Sequence, residues 1–586
     1  MYGYGLIGNC QVAALVSKDG AIAWSCMPRP DSPPIFGALL DPEGGECSIA
    51  LSGYQRSAQH YLENTNVLVT LLESEKSSVK ITDFCPRFEQ HGRMYRPAQI
   101  VRIIEPLQGS PTISIKVSVV DGWSKRPVRA ERGNSHLRFP LEEGLLRVAT
   151  NVPLTYLEQQ VSVPLRSPMY LIISWDLPIE DDLEKVARDF LAQTTRHWKQ
   201  WTATCDIPTK YQKETIRSAL ALKLHLYEDT GAVLAAITTS LPEEFGGERN
   251  WDYRFCWLRD AFFVVSALYR LGRFDEVERF IGYLLDLLHE LEEVKPVYTL
   301  DRQLPLPEKT YANWKGYNDS LPVRSNNQAG EHIQNDRFGE CILTIVPIFL
   351  DERLRDLRTP SLESLLLKLV RLATSSIGSK DAGLWELRNT LREHSFTNLM
   401  SWAGLSRVRR LCESGLVSRC PVEDVVGAEL RAYDAVQRAS RDGVIYSSPD
   451  PGTGLDASLL MAPILAYPDR VASLQTVCAI RDALAIDQST KAFLMRYAST
   501  DDFGVPKSAF TVCTFWLAHA FARLGDRQSA EQVFEAGLTA ANHLQLYSEH
   551  FDPDRRIQLG NFPQAYSHVG QILAAFAVSP SWEDWL

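Results

Sequence analysis

Hydrophobic and polar positions alternate along the first third of the chain and recur every three to four residues along the rest. In TISIKVSVVD, Ile113, Ile115, Val117 and Val119 alternate with Thr112, Ser114, Lys116 and Ser118. That period of two is the mark of a strand with one buried face. AALVSKDGAIAWSC predicts a hairpin closing near Asp19-Gly20, and NVLVTLLES, SVKITDF, QIVRIIEP and MYLIISWD predict further strands. Together they predict an antiparallel β-sandwich over residues 1–180.

The period changes near residue 181. In DDLEKVARDFLAQTTRHWKQW, Leu183, Val186, Phe190, His197 and Trp201 mark one helical face, which predicts a linker helix within residues 181–207. From about Tyr211 to Phe576 roughly twelve helical segments follow, joined by loops such as SLPEEFGGERN, LPLPEKTYANWKGYNDSLPVRSNN and SSPDPGTGLD. Loops that long within a compact domain usually carry function. Twelve helices in hairpin succession predict six pairs wrapped into an (α/α)6 barrel over residues 208–586. Helix count alone fits a solenoid equally well, but no short sequence repeat supports one. The expected class is therefore α+β and multidomain.

Composition narrows the partners. With 586 residues, 45% of them hydrophobic, the chain can bury several cores and divides into about two to four domains. The net charge of -11 is spread among mixed charges with no basic block, which disfavours nucleic acid and anionic membrane and suits a neutral or weakly polar ligand. The opening MYGYGLIGNCQVAALVSKDG lacks a basic and then apolar leader, and no apolar span of membrane length follows, so a cytoplasmic enzyme is expected. A homo-oligomer is compatible with this composition. Eleven cysteines lie scattered without CxxC or His/Cys ligand spacing. They are expected to be mostly buried, reduced thiols, with no disulfide framework and no zinc site. No cofactor or metal is called for.

Three stretches carry candidate chemistry. RNWDYRFCWLRDAFFVV, residues 249–265, embeds Arg259 and Asp260 in an aromatic, apolar run. Burying a charge costs several kcal/mol unless it is paired, so the two are either a helix-start ion pair or a polar clamp in an aromatic-walled pocket. GLWELRN places Glu386 directly after Trp385, and LYSEHFDP places Glu549 two residues after Tyr547. A carboxylate against an aromatic wall loses hydration, which raises its pKa and suits it to proton transfer near neutral pH. Two such groups across a sugar pocket are the machinery of glycoside hydrolysis, although either Glu alone reads better as a cap or an ion-paired residue.

Five stretches in order resemble glycoside hydrolase family 15, the glucoamylase, glucodextranase and trehalase type. YGLIGNCQVAALVSKDGAIAWSCMPRPDSPPIFGALLD resembles the opening of the bacterial-type members, with their β-sandwich. GGERNWDYRFCWLRDAFF resembles the lead into the second barrel helix, AGLWELR and YSEHFD resemble the two catalytic-Glu motifs, and GNFPQAYSHVGQI resembles the last barrel helix. The resemblance implies Glu386 as general acid, Glu549 as general base, and Arg259 with Asp260 as the clamp on a terminal glucose. Trp251, Trp257 and Trp385 would cover the sugar's apolar ring faces. Arg496, in MRYASTDD, resembles an arginine on the leaving-group side, and Gln334 and Asp336, in HIQNDRFGE, lie where members present polar pocket residues.

The chain also departs from the pattern. Leu387 stands where fungal glucoamylases carry a second Glu, Asn326 stands at a usual Gly, and Lys507 stands where an acidic residue or Gly is expected. All three fall around the leaving-group side and bear on linkage specificity. Asn tolerates positive φ better than most residues, so the turn at Asn326 is expected to survive. The implied activity is inverting, exo-acting hydrolysis of an α-glucosidic bond, releasing β-glucose from a small α-glucan or glucose disaccharide. A disaccharide phosphorylase of similar architecture and a non-catalytic carbohydrate-binding or regulatory barrel are the alternatives.

Overall fold

The computed structural model describes residues 1–288, 293–304 and 306–585. Its N-terminal part consists of two antiparallel sheets face to face. One runs in the order Tyr4–Gly8, Ala13–Ser17, Ile22–Cys26, Glu46–Leu51, Thr112–Ser118, Val163–Pro164, with Pro34–Phe36 added on Ile22–Cys26. The other runs Glu131–Arg132, His136–Leu141, Gly144–Thr150, Met169–Trp175, Gln99–Gln108, Ser78–Phe84, Leu68–Ser74, Tyr54–Tyr61. The expected hairpin is present, with Gly20 at φ +83° in its turn.

Strand Gln99–Gln108 shows how the period of two is spent. Ile100 and Ile104 join the core between the sheets, while Val101 and Ile103 point the other way, into a second core against Ala187, Val186 and Phe190 of the helix Leu183–Ala203. Arg102 is on the inner face and fully buried. It is tolerated because Asp83 accepts from it at 2.7 and 3.0 Å, and the carbonyls of Cys47 and Gly20 take its remaining donors.

Twelve α-helices follow between Gln212 and Val578 among the described residues. Six places around a ring are filled in turn by Leu258–Arg270, Asp336–Leu350, Ser395–Glu413, the short stretch Ala457–Leu460 with Met461–Ile464, Thr511–Leu524 and Ala565–Val578. Each packs on the next, and Ala565–Val578 packs back on Leu258–Arg270, so the ring is closed. Gln212–Lys223, Phe274–Leu288, Pro360–Ser376, Val422–Arg438, Arg470–Leu484 and Arg527–Leu538 lie outside it. Helix Ala565–Val578, AYSHVGQILAAFAV, is apolar nearly all round, as a helix flanked by others on every side must be.

The sandwich is fastened to the barrel by buried polar contacts. Arg87 makes a two-pronged contact with Glu228 at 2.7 and 3.0 Å, and Lys223 reaches both Glu228 and Glu276. Trp24 donates from Nε1 to the Ile237 carbonyl at 3.0 Å. The cysteine expectation needs one correction. Cys412 and Cys420 form a disulfide, because the chain reverses after the helix Ser395–Glu413 at Gly415 and brings their Cα atoms to 5.7 Å. The other nine cysteines are free, and seven of them are buried. No described helix is long and apolar enough to cross a membrane.

Candidate active site

The N-terminal ends of the ring helices and the loops feeding them surround a cavity lined by Trp251, Trp257, Arg259, Asp260, Trp385, Glu386, Arg496 and Glu549. Trp257 ends the short strand Cys256–Trp257, which pairs with Val297–Tyr298, and caps the helix Leu258–Arg270. Arg259 and Asp260 therefore fall in the first helical turn, where unpaired N–H groups favour a carboxylate. They do not form a close ion pair: Arg259 Nε is 4.0 Å from Asp260 Oδ2, beyond hydrogen-bond reach.

Arg259 is spent elsewhere. It donates to Gln334 Oε1 at 2.7 Å, to Glu386 Oε1 at 3.0 Å and to Asp336 Oδ2 at 3.4 Å. Asp260 is left facing the cavity, only 5% exposed. Burial pushes its pKa up to about 7 against the pull of Arg259, and the nearby Glu386 adds to the rise.

Glu386 sits at φ +62° in a tight turn in which its N–H bonds the Gly383 carbonyl and the Leu387 N–H bonds that of Ala382. Left-handed backbone at a residue with a Cβ costs about 1 to 3 kcal/mol, and such positions gather at active sites. Trp257 Nε1 at 2.7 Å, Arg259 Nη2 at 3.0 Å and Gln334 Nε2 at 3.2 Å all converge on Glu386 Oε1. No described donor reaches Oε2.

Glu549 comes from a different element. Its backbone is held between the Asn561 carbonyl and the Thr511 N–H, beside the small sheet of Ala509–Phe510, His550–Asp552 and Ile557–Leu559. Gly560, at φ +70°, approaches so closely that a Cβ there would meet Glu549 Oε2 at 2.6 Å. Burial, and then the neighbouring Glu243, raise the Glu549 pKa well above the carboxylate range, with Arg496 opposing them. Glu243 behaves oppositely. Burial alone would raise it, but Arg496 Nη2 at 2.9 Å and the nearby His550 outweigh that and hold it ionised, and Trp251 Nε1 adds a hydrogen bond at 3.1 Å. The two acids form a buried pair in which the charge of Glu243 helps hold the Glu549 pKa up.

Gln334 and Asp336 are buried beside Arg259 and accept from its guanidinium, and Gln334 also donates to Glu386 Oε1. Lys507 is exposed and paired with Glu244 at 2.7 Å. Leu387 does line the cavity, and Asn326 takes φ +62°, so that turn survives.

Sequence reasoning missed Glu243, Tyr253, Arg388, Phe503 and His550, of which all but His550 line the cavity. Arg388 lies 4.3 Å from the centre of the Trp251 ring, and Phe503 packs edge-on against that ring at 5.1 Å. Glu243 sat inside a loop already flagged by its length, but its partner Arg496 is 253 positions away, and no local signal connects them. Glu243, Glu549 and His550 bring three ligand-type atoms within 4.8 Å and are the described residues that could approach a metal ion. Arg496 already supplies a positive charge there.

Comparison with known proteins places the chain in a family. Residues 209–576 match the family model described as glycosyl hydrolases family 15, and residues 3–158 match one described as trehalase-like, N-terminal. The trehalase of Thermoplasma volcanium is 29% identical, with the alignment covering 100% of this chain and 93% of that protein. The trehalase of Mycolicibacterium smegmatis is 29% identical, covering 99% and 91%. Among solved structures, a bacterial glucoamylase complexed with acarbose superposes with a TM-score of 0.69 at 13% identity, over 98% of this chain and 94% of that one, a likeness of fold. Because the first of these models spans most of the chain, including both Glu-bearing loops, the protein belongs to glycosyl hydrolases family 15.

Proposed function

We propose that this glycoside hydrolase cleaves α,α-trehalose with inversion. The observation that carries the reading is that Glu386 and Glu549, supplied by separate loops, line one cavity together with Arg259, Asp260 and the aromatic residues Trp251, Trp257 and Trp385. Trehalase is also the activity named for relatives that align along nearly their whole length.

In this reading Asp260, which faces the cavity, and the donor capacity that Arg259 retains bind hydroxyls of the terminal glucose, and Trp257 and Tyr253 line its apolar side. Glu386 donates its proton to the glycosidic oxygen as the C1–O bond breaks. Glu549 takes a proton from a water that attacks C1 from the opposite face, and the product is β-glucose. The leaving glucose lies toward Leu387, Arg388 and Phe503, a wall that offers an apolar face and a guanidinium in place of the carboxylate fungal glucoamylases carry after the acid.

The phosphorylase reading is disfavoured by charge. A phosphate nucleophile would have to approach C1 beside Glu549 and the ionised Glu243, with Arg496 already paired to Glu243 at 2.9 Å. A panel of trehalose, maltose, isomaltose, nigerose and kojibiose, scored for free glucose, tests the proposal. Trehalose is expected to give the highest kcat/KM, and a clear preference for any other disaccharide overturns it.

A further inference from the structure

Asp381 ends the short strand Lys380–Asp381, just ahead of the turn that presents Glu386, and it is fully buried. Its carboxylate collects donors from three segments. Oδ1 accepts from the Gly383 N–H at 3.0 Å, and Oδ2 accepts from the Asn335 N–H at 2.7 Å and the Thr397 hydroxyl at 3.2 Å. Among the described residues no lysine or arginine pairs with it. His394 Nε2 stands 3.9 Å from Oδ1, beyond hydrogen-bond reach, and the His394 ring bonds the Asp381 backbone instead. Burial, and then the nearby Asp336, push the Asp381 pKa up to about 7. A carboxyl kept in such a place without a cation is costly, and what it gains is a set of fixed backbone donors.

Two of those donors lead to Glu386. The Gly383 carbonyl accepts from the Glu386 N–H at 3.1 Å, and Gly383, at φ +65°, lies so close to the His394 ring that a Cβ there would meet it at 2.7 Å. The second route runs through Asn335, which follows Gln334 and caps the helix Asp336–Leu350. Gln334 Nε2 donates to Glu386 Oε1 at 3.2 Å, and Gln334 and Asp336 accept from the Arg259 guanidinium that donates to the same oxygen. Thr397, in the first turn of the helix Ser395–Glu413, secures the carboxylate from a third side. Glu549 shares none of these contacts, since its backbone is held by Asn561 and Thr511.

We infer that Asp381 is a positioning residue for the acid: one carboxylate fixes both the backbone of the Glu386 turn and the segment whose side chains grip Glu386 Oε1. With Oε1 gripped, the turn sets where Oε2, which no described donor reaches, delivers a proton. Proton transfer needs the two heavy atoms within hydrogen-bond reach, and a misplacement of about 1 Å costs roughly 100-fold in rate. The inference rests on the reading of Glu386 as the acid. Its consequence is a loss confined to the step that protonates the leaving group, because Asp381 has no route to Glu549.

Kinetics of Asp381→Asn on two substrates tests it: the disaccharide that the parent cleaves fastest, and α-glucosyl fluoride, whose leaving group needs little protonation. Asn keeps the size but turns an amide N–H₂ toward one set of donors. The variant is expected to lose about 100-fold in kcat on the disaccharide at a nearly unchanged KM, and to stay close to the parent on the fluoride. Thr397→Val removes a single hydrogen bond and is expected to show the same split at about two- to tenfold, which keeps the test open if melting curves show Asp381→Asn unfolded. Equal losses on the two substrates in a folded variant, or no loss on either, overturn the positioning role. Glu386→Gln run alongside separates this from the reading beneath it. If Glu386→Gln shows the split and Asp381→Asn does not, the positioning role alone falls; if Glu386→Gln shows none, the acid assignment falls and takes this inference with it.

Discussion

Arg259 Nη2 donates to Glu386 Oε1 at 3.0 Å, which ties the first turn of the helix Leu258–Arg270 to the strained turn that carries the proposed acid. The same guanidinium reaches Gln334 and Asp336, so one planar group joins their segment to the Glu386 turn. Arg259→Lys keeps the charge and loses the fork. It is expected to cost about 3 to 4 kcal/mol of transition-state binding, or roughly two to three orders of magnitude in kcat/KM. Steady-state kinetics with a melting curve checks this. Near-parental kcat/KM in a variant that melts early would make the contact purely structural.

The two glutamates are separable by leaving group. Glu386→Gln is expected to lose most activity on trehalose but retain much of it on α-glucosyl fluoride, whose leaving group needs little protonation. Glu549→Gln should be impaired on both. Equal losses of Glu386→Gln on the two substrates would reverse the assignment.

Stereochemistry follows from the base acting through water. Room for that water requires the two carboxyl groups to stand about 6.5 to 9.5 Å apart, and the first anomer released is then β-glucose. Proton NMR during the first minutes of hydrolysis reads it directly, and α-glucose as the initial product rules out inversion.

Glu243 governs the acidic side of the pH profile. Glu549 must be ionised to accept a proton, while burial and the ionised Glu243 hold its pKa up, opposed by Arg496; His550 and Tyr253 complete the groups around it. Glu243→Gln removes the like charge and frees Arg496 to act on Glu549. The ascending limb of kcat/KM against pH is therefore expected to move to lower pH. A uniform loss of rate with an unmoved limb would assign Glu243 a packing role alone.

Asp260 links the site to stability. Its folded pKa, pushed up to about 7 from 3.8, means that its contribution to stability is fully present below about pH 4 and is lost as pH rises through 7. Asp260→Asn cannot ionise, so the difference in melting temperature between variant and parent is expected to grow in the variant's favour from pH 4 to 7, while kcat/KM falls. Parallel melting profiles across that range would show that the carboxyl ionises freely.

Much of the fold was legible because its causes are local. Alternation from Thr112 to Val119 and the helical stripe beginning at Leu183 each reflect the repeat of one element, and the strand Thr112–Ser118 and the helix Leu183–Ala203 appear where expected. Arg259, Asp260 and the two glutamates were also visible, because charges set among aromatics are costly enough to demand a reason. The sequence by itself thus determined the elements, their order and the residues carrying unusual charge.

Tertiary structure decided the rest. Closure of the helices into a ring rests on the packing of Ala565–Val578 against Leu258–Arg270, which helical periodicity cannot distinguish from an open stack. Asp336 and Gln334 became supports of Arg259, and Glu243 became the charged partner of Glu549, through contacts between residues far apart in the chain. The physical reason is common to all of them. Periodicity records which side of an element meets water, whereas hydrogen bonding and charge coupling depend on distances of a few ångströms between elements that only the packed core brings together.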